Sequence, residues 1–352
     1  MYPRVTIDTK KLEHNTKIIA DACAGHGIEI MGVTKSFCAV PGAAEAMIRG
    51  GVKFLADSRV KNLMKVKDLD VKKVLLRLPM KSQAEDVVKY ADISLNSEIE
   101  TIEVLGQEAI KQGKTHNIVL MTDLGDLREG FLPKDVDSAV EKILKIEGIK
   151  LYGLGVNLTC YGGVVPDDKN LGQLCDIAGH IEKKFDVKLE MITGGNSSSF
   201  YLLDKGTMPD KVNNLRMGEI IVLGRETAYG DAIEGTYDDA FKLQAEIVEV
   251  KTKGSVPIGE IGMDAFGNTP TFEDKGMIVR AIAAVGRQDV DPDNLTPLDE
   301  GIEILGSSSD HLLMNISASK MDYKVGDIVE FKLDYGSLLS LTTSEYIEKV
   351  CE

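Results

Sequence analysis

Three groups of residues in this chain have types and spacings that can do chemistry. The first is Lys35, in the stretch EIMGVTKSFC, where an apolar run of Ile30, Met31 and Val33 gives way to Thr34 and Lys35. A lysine at such a point is either a solvated strand end or an amine aimed into a site as a nucleophile. The second is TGGNSSS, residues 193–199. Backbone N–H groups and serine hydroxyls in a Gly-rich turn that opens a helical segment suit an anion, phosphate above all. A plain loop with an N-cap serine has the same composition. The third is Arg216 in LRMGE, a side chain with donors only. The amides of Gly218 and Glu219 follow it at the start of another helical turn.

These groups matter only if elements bring them together. From Lys11 to Gly224 the chain alternates helical spacing with short apolar runs. Eight strands are expected, at EIMGVTK, VKFLADS, VKKVLLRLP, DISLNS, HNIVLMTDLG, IKLYGLGVNLT, KLEMITGGN and VNNLRMG, each followed by a helix or helical turn. Eight such units in about 220 residues predict a (β/α)8 TIM barrel over 11–224, with an open doubly wound sheet as the alternative. In a barrel the active groups belong at the C-terminal strand ends. Lys35, Met121, Asp123, Arg128, Asn157, the 193–199 turn and Arg216 all fall there. After Arg225 the texture turns to strands punctuated by Gly, Pro and Asp. Residues 225–352 therefore read as a mostly-β C-terminal domain, and the opening strand RVTID (within 1–10) is expected to pair with it. The stretch GDIVEFKLDYGSLLSLTT is read as part of this strand set.

A lysine, a phosphate cup and an arginine on neighbouring strand ends suit pyridoxal 5′-phosphate. The lysine amine would condense with the aldehyde, which requires its usual pKa of about 10.4 to fall through burial or cationic neighbours. The arginine would face the pyridine nitrogen. That nitrogen would then have to accept a hydrogen bond and stay unprotonated, which weakens the ring as an electron sink and suits simple proton exchange.

The chain resembles, from end to end, the alanine racemase-like family of fold-type III pyridoxal-phosphate enzymes. The pieces that carry the resemblance are RVTIDTKKLEHN, MGVTKS, TDLGDLREG, TGGNSSSF, LRMGEIIVLGRE and GSSSDHLLMNIS. Within it, VTKSFC and LRMGEIIVLG are most similar to the ornithine racemase branch. The resemblance implies that Lys35 binds the cofactor and serves as one acid/base, and that Arg216 is the partner of the pyridine nitrogen. Ser198 and Ser199, with the amides of Gly218 and Glu219 and the hydroxyl of Tyr335, would hold the phosphate. Arg128 would lie near the cofactor's phenolic oxygen and the substrate carboxylate. Asn157 stands where alanine racemases carry a histidine stacked on the pyridine. Asp310 matches an acidic residue in a loop supplied by the partner subunit, so a homodimer with shared sites is implied.

The departures are as informative. Alanine racemase brings a β-domain tyrosine into the partner's barrel as second base. The matching GEIGMDAFGNTP has none, and Phe266 stands nearest. Asp264 in that loop is the first choice for the second base, although its context also fits a turn former. Asp310 and His311 come next. Met121 replaces the lysine that some alanine racemases carbamylate, and KSFCAVPG lacks the tyrosine of the corresponding alanine racemase motif. Asp264, Asp310 and Glu219 are available to meet a cationic substrate side chain. Cys38 and Cys160 read as packed thiols.

Composition excludes other classes. Lys+Arg 41 against Asp+Glu 56 leaves a net charge of −15, spread along the chain. Such a surface repels nucleic acid and acidic membranes. The five cysteines show no C-x-x-C or Cys/His clustering, the pattern of reduced thiols, and no metal site is expected. No apolar run approaches the roughly 20 residues of a membrane span, and the N-terminus has no signal-type apolar segment. The expected protein is a cytoplasmic amino-acid racemase for ornithine. The alternatives are a racemase of lysine, alanine or broad specificity, a metal-assisted D-amino-acid aldolase or dehydratase, and a non-enzymatic pyridoxal-phosphate binder.

Overall fold

The computed structural model describes all 352 residues. The chain divides into two compact units, residues 9–238 and residues 1–8 with 239–352. Strand β1 (Arg4–Ile7) belongs to the latter. The barrel unit begins with α1 (Thr9–Ala24), which buries Leu12, Asn15, Thr16, Ile19 and Cys23 along one face.

Eight parallel strands then close into a barrel in chain order. They are β2 (Glu29–Val33), β3 (Phe54–Asp57), β4 (Lys72–Leu75), β5 (Ile93–Asn96), β6 (His116–Thr122), β7 (Ile149–Val156), β8 (Met191–Asn196) and β9 (Asn214–Met217). Between them run α2 (Pro41–Arg49), α3 (Val60–Lys65), α4 (Ala84–Tyr90), α5 (Ile99–Lys111), α6 (Val136–Ile143), α7 (Asp168–Phe185) and α8 (Tyr201–Asp204), with α9 (Glu219–Leu223) after β9. The strands read as nearly continuous apolar runs because both faces are covered. Met31, Val33, Phe54, Ala56, Val119 and Met121 pack together in one buried cluster. Ile118, Leu120 and Leu154 instead join residues of α6 and α7 in another. This period-2 split is what alternating side chains on closed strands require. The unit extends to Asp238 because Asn15 fastens the segment after β9. Its Nδ2 donates to the carbonyls of Ile221 (2.9 Å) and Tyr237 (2.7 Å), and its Oδ1 accepts from the Tyr237 amide (2.7 Å).

The second unit contains β10 (Phe241–Gly254), β11 (Met277–Ala283), β12 (Leu295–Pro297), β13 (Glu303–Ser307), β14 (Leu312–Asn315), β15 (Ile328–Leu333), helix α10 (Tyr335–Thr343) and β16 (Glu348–Cys351). Its strands run in the order β12-β15-β10-β11-β14-β13. As expected, β1 joins this sheet, antiparallel to β10 and parallel to β16. The run after Leu333 departs from expectation, because it is helix and not strand. Asp334 and Ser337 form a reciprocal capping box there, and Leu338 and Leu341 are buried three residues apart, a helical period that the many apolar neighbours disguise.

Candidate active site

The C-terminal end of β2 delivers Lys35 into a single 3-10 turn, Lys35–Phe37. Beside it β3 ends on Asp57, which is fully buried. Thr34 Oγ1 donates to Asp57 Oδ2 (2.7 Å), while the Arg59 amide (2.8 Å) and Asn62 Nδ2 (3.0 Å) donate to Oδ1. Burial lowers the Lys35 amine below its ordinary pKa. Cys160 opposes that shift, Arg128 adds to it, Asp57 opposes it and Arg216 adds to it. Burial likewise raises the Asp57 carboxyl, against the hydrogen bonds from Thr34, Arg59 and Asn62.

On the other side of β2, its paired neighbour β9 delivers Arg216, only 4% exposed. Its Nη1 donates to Thr193 Oγ1 (2.8 Å), and its Nη2 to the Val156 carbonyl (2.8 Å) and to Asn157 Oδ1 (3.3 Å). All three acceptors are neutral. Burial brings this guanidinium down to about 10, still cationic at neutral pH. A buried cation without a carboxylate is expensive, and here it marks a place for an acceptor that the chain itself does not supply.

The serine turn shows which hydroxyl faces the amides. Ser197 Oγ accepts from the amides of Gly218 (3.3 Å) and Ile220 (3.3 Å) at the start of α9. Ser198 is fully buried and its Oγ has no partner. Ser199, also fully buried, donates its hydroxyl to the Gly194 carbonyl (2.7 Å). Ser197, absent from the sequence-based candidates, is thus the serine that meets the α9 amides, while Ser199 bonds within its own turn. Gly195 makes this turn possible: its φ is +110°, and a Cβ there would lie 2.5 Å from Ser199 Oγ. The Glu219 carboxylate is held by Arg225, with Nε at 3.1 Å and Nη2 at 3.0 Å. Its charge is thus already paired within the chain.

The remaining candidates sort clearly. Asn157 is buried and its Nδ2 has no partner. Cys160 is exposed, contrary to expectation for a packed thiol. Its Sγ donates to Asn157 Oδ1 (3.4 Å) and accepts from Asn196 Nδ2 (3.4 Å). Arg128 is paired in two-pronged fashion with Glu129. In the other unit, Asp264 Oδ1 accepts from the amides of Phe266 (2.9 Å) and Asn268 (2.8 Å). These bonds, that of Asn268 first, hold its pKa below the usual carboxylate range. Its carboxylate thus bonds within its own loop. Asp310 Oδ1 contacts His311 Nδ1 (3.0 Å) and accepts from the Ser308 and Ser309 hydroxyls (3.3 Å each). The His311 bond leads in lowering its pKa. Tyr335 is the first residue of α10. A cavity of about 280 Å³ lined by Lys73, His116 and Asn117 opens at strand beginnings and contains none of these residues. No group of three His, Cys, Asp or Glu side chains is placed to hold a metal ion.

The two orphaned polar atoms, Ser198 Oγ and Asn157 Nδ2, together with the uncompensated Arg216 and the Ser197 cup, fit a group that carries both an anionic tail and a ring acceptor. Fold and site thus define a barrel protein that presents a lysine beside an anion cradle. The chain belongs to the alanine racemase family: the family model "Alanine racemase, N-terminal domain" matches residues 7–226. It is 51% identical over 350 residues to the ornithine racemase of Acetoanaerobium sticklandii, covering 99% of each chain. It is 37% identical to the lysine racemase of Thermotoga maritima, covering 100% of this chain and 99% of that one. Among solved structures, the alanine racemase of Clostridium difficile 630 has the same fold, with a TM-score of 0.78 at 19% identity over 100% of this chain and 96% of that one.

Proposed function

We propose that this protein is a pyridoxal 5′-phosphate-dependent racemase that interconverts L- and D-ornithine. The full-length likeness to the ornithine racemase carries the reading. When bound, the cofactor supplies an electrophilic aldehyde and a π-system that withdraws electrons from Cα. Lys35 is the amine that bonds to it, and burial keeps that amine more readily neutral than a solvated lysine. Ser197 and the amides of Gly218 and Ile220, which lie together, would hold the phosphate. Arg216 would donate to the pyridine nitrogen, with Asn157 beside it.

Lys35 Nζ moves the proton on one face of Cα. The other face needs a second acid/base, which we assign to the β-sheet unit of a partner subunit in a homodimer. Of the candidates there, His311 is better suited than Asp264. Asp310 holds Nδ1, leaving Nε2 as the working atom in the manner of an oriented histidine base. Asp264 is committed to its own loop. Arg128 remains our choice for the substrate carboxylate, through exchange with Glu129. No helix is long and apolar enough to cross a membrane, and the five cysteines are free thiols. A cytoplasmic location is part of this proposal.

Lysine is the second substrate reading, on the strength of the Thermotoga relative. It differs from ornithine by one methylene, which a shaped pocket discriminates by roughly 10–200-fold. The test is α-proton exchange in deuterated water, with loss of optical rotation, for L-ornithine, L-lysine and L-alanine in the presence of the cofactor. Ornithine is expected to lead by that margin. No exchange with any of the three overturns the proposal. A Lys35→Ala variant should lose both exchange and the lysine-dependent visible absorbance band.

A further inference from the structure

Nothing so far gives Asp57 a task, yet it is among the most protected charged groups in the barrel. It is fully buried, ends the strand next to the one that delivers Lys35, and has no ion-pair partner of its own. Burying a carboxylate is costly unless several donors satisfy it. Here three donors converge on it, and one is the hydroxyl of Thr34, the residue immediately before Lys35. The same β3–α3 segment reaches the far side of the lysine turn. Lys65, the last residue of α3, donates its Nζ to the Cys38 carbonyl (2.8 Å). Residues 57–65 therefore grip the short Lys35–Phe37 turn at both ends, one grip buried and one exposed.

We propose that Asp57 is the positioning residue of Lys35. It acts through Thr34, and Lys65 forms the outer half of the same clamp. The inference rests on the reading of Lys35 as the reactive amine.

A neutral acceptor could have latched Thr34 equally well, so the choice of a carboxylate asks for a second reason. The groups that act on the Lys35 amine are Cys160 from the loop after β7, Arg128 from the loop after β6, Asp57 from β3 and Arg216 from β9. Burial and two guanidiniums press the amine toward neutrality, and Asp57 is the carboxylate that restrains them. The groups acting on Asp57 are Thr34, the Arg59 amide, Asn62 and Lys65. One side chain thus latches the turn that carries the amine and, after Cys160, opposes the loss of its proton.

The experiment uses the full chain stripped of cofactor, with pH-dependent modification of Lys35 by an amine reagent read by peptide mass spectrometry. Asp57→Asn keeps the shape and removes the charge. Its Lys35 modification midpoint should fall by about one pH unit. A midpoint equal to that of the parent protein overturns the charge-setting half. The latch is read separately by amide hydrogen exchange at Phe37, Cys38 and Ala39. Thr34→Val should speed exchange there by about tenfold, and Thr34→Ser should restore protection, because only the serine keeps the hydroxyl. Equal exchange in the two variants overturns the latch, and this pair decides the matter even if Asp57→Asn does not fold. Loss of the visible band in Lys35→Ala is a separate result. If that band persists, the functional reading fails, whatever Asp57 does.

Discussion

The barrel mouth and the loops of the β-sheet unit treat their polar residues in opposite ways. In the mouth, the important side chains are buried and bonded across strands: Arg216 of β9 to Thr193 of β8 and to the residues that end β7, and Thr34 to Asp57. Two donors there, Ser198 Oγ and Asn157 Nδ2, are left without partners. In the β-sheet loops the acids are exposed and satisfied locally, Asp264 by amides two and four residues on, Asp310 by its immediate neighbours. The mouth is held together by bonds between strands. The loops are bonded within themselves, and there His311 Nδ1 is held by the neighbouring Asp310. Preorganised burial costs stability and provides geometry, whereas local capping keeps exposed loops soluble and ordered at little expense.

The sharpest way to break this contrast is to remove one group from each loop. His311→Ala should lower kcat for ornithine by about 10²-fold or more, while Asp264→Asn should stay within about threefold. The reverse ranking would show that the capped aspartate is the working group. Next comes the socket. Arg216→Met should abolish tight cofactor binding in an equilibrium titration, yet leave Tm unchanged or a few degrees higher, because it removes a buried charge that no carboxylate compensates. A large loss of Tm would mean that the arginine is structural.

His116 tests the barrel interior away from the mouth. It is 2% exposed, bonds to Ser94 Oγ (2.8 Å), and burial pulls its pKa from 6.5 down to about 4. The folded state therefore holds it neutral while the unfolded chain takes up a proton below about 6.5. Stability should fall as pH drops from about 6.5 toward about 4 and level off below, by about 3 kcal/mol in total. Urea melts of the parent protein and His116→Asn across that window should differ in slope. The smallest effect is expected in the β-sheet unit, where Asp334→Ala removes the cap of α10 and should cost about 1 kcal/mol by denaturant melts.

The sequence made the barrel legible because each closed-barrel strand must be apolar on both faces, which eight runs show plainly. Lys35 and Arg216 stood out for the same reason: each is a charge at the end of such a run. Which of Ser197, Ser198 and Ser199 faces the amides was not legible. The three are chemically alike, and only the path of the backbone through Gly195 separates them. Asp57 was hidden because ADSRV reads as an ordinary strand end, and its meaning lies in a neighbour 23 residues earlier in the chain. Helix α10 carried its signal in the Asp334–Ser337 box, which was outweighed by a long apolar stretch. The ion pairs Glu219–Arg225 and Arg128–Glu129 were not legible, because sequence gives charges without their partners.

The path of β1 has a consequence for how the molecule is made. Residues 4–7 are made long before their parallel partners, residues 348–351. The intervening barrel has mostly neighbour-to-neighbour strand pairs and can assemble as it emerges. The sheet of the other unit must wait for residues 348–351, and β1 stays unpaired on that side until they are made. That final docking joins residues about as distant in sequence as this chain allows, a slow class of contact to form. A chain shortened by its last few residues would therefore be expected to keep a barrel while leaving its earliest strand exposed to other partners.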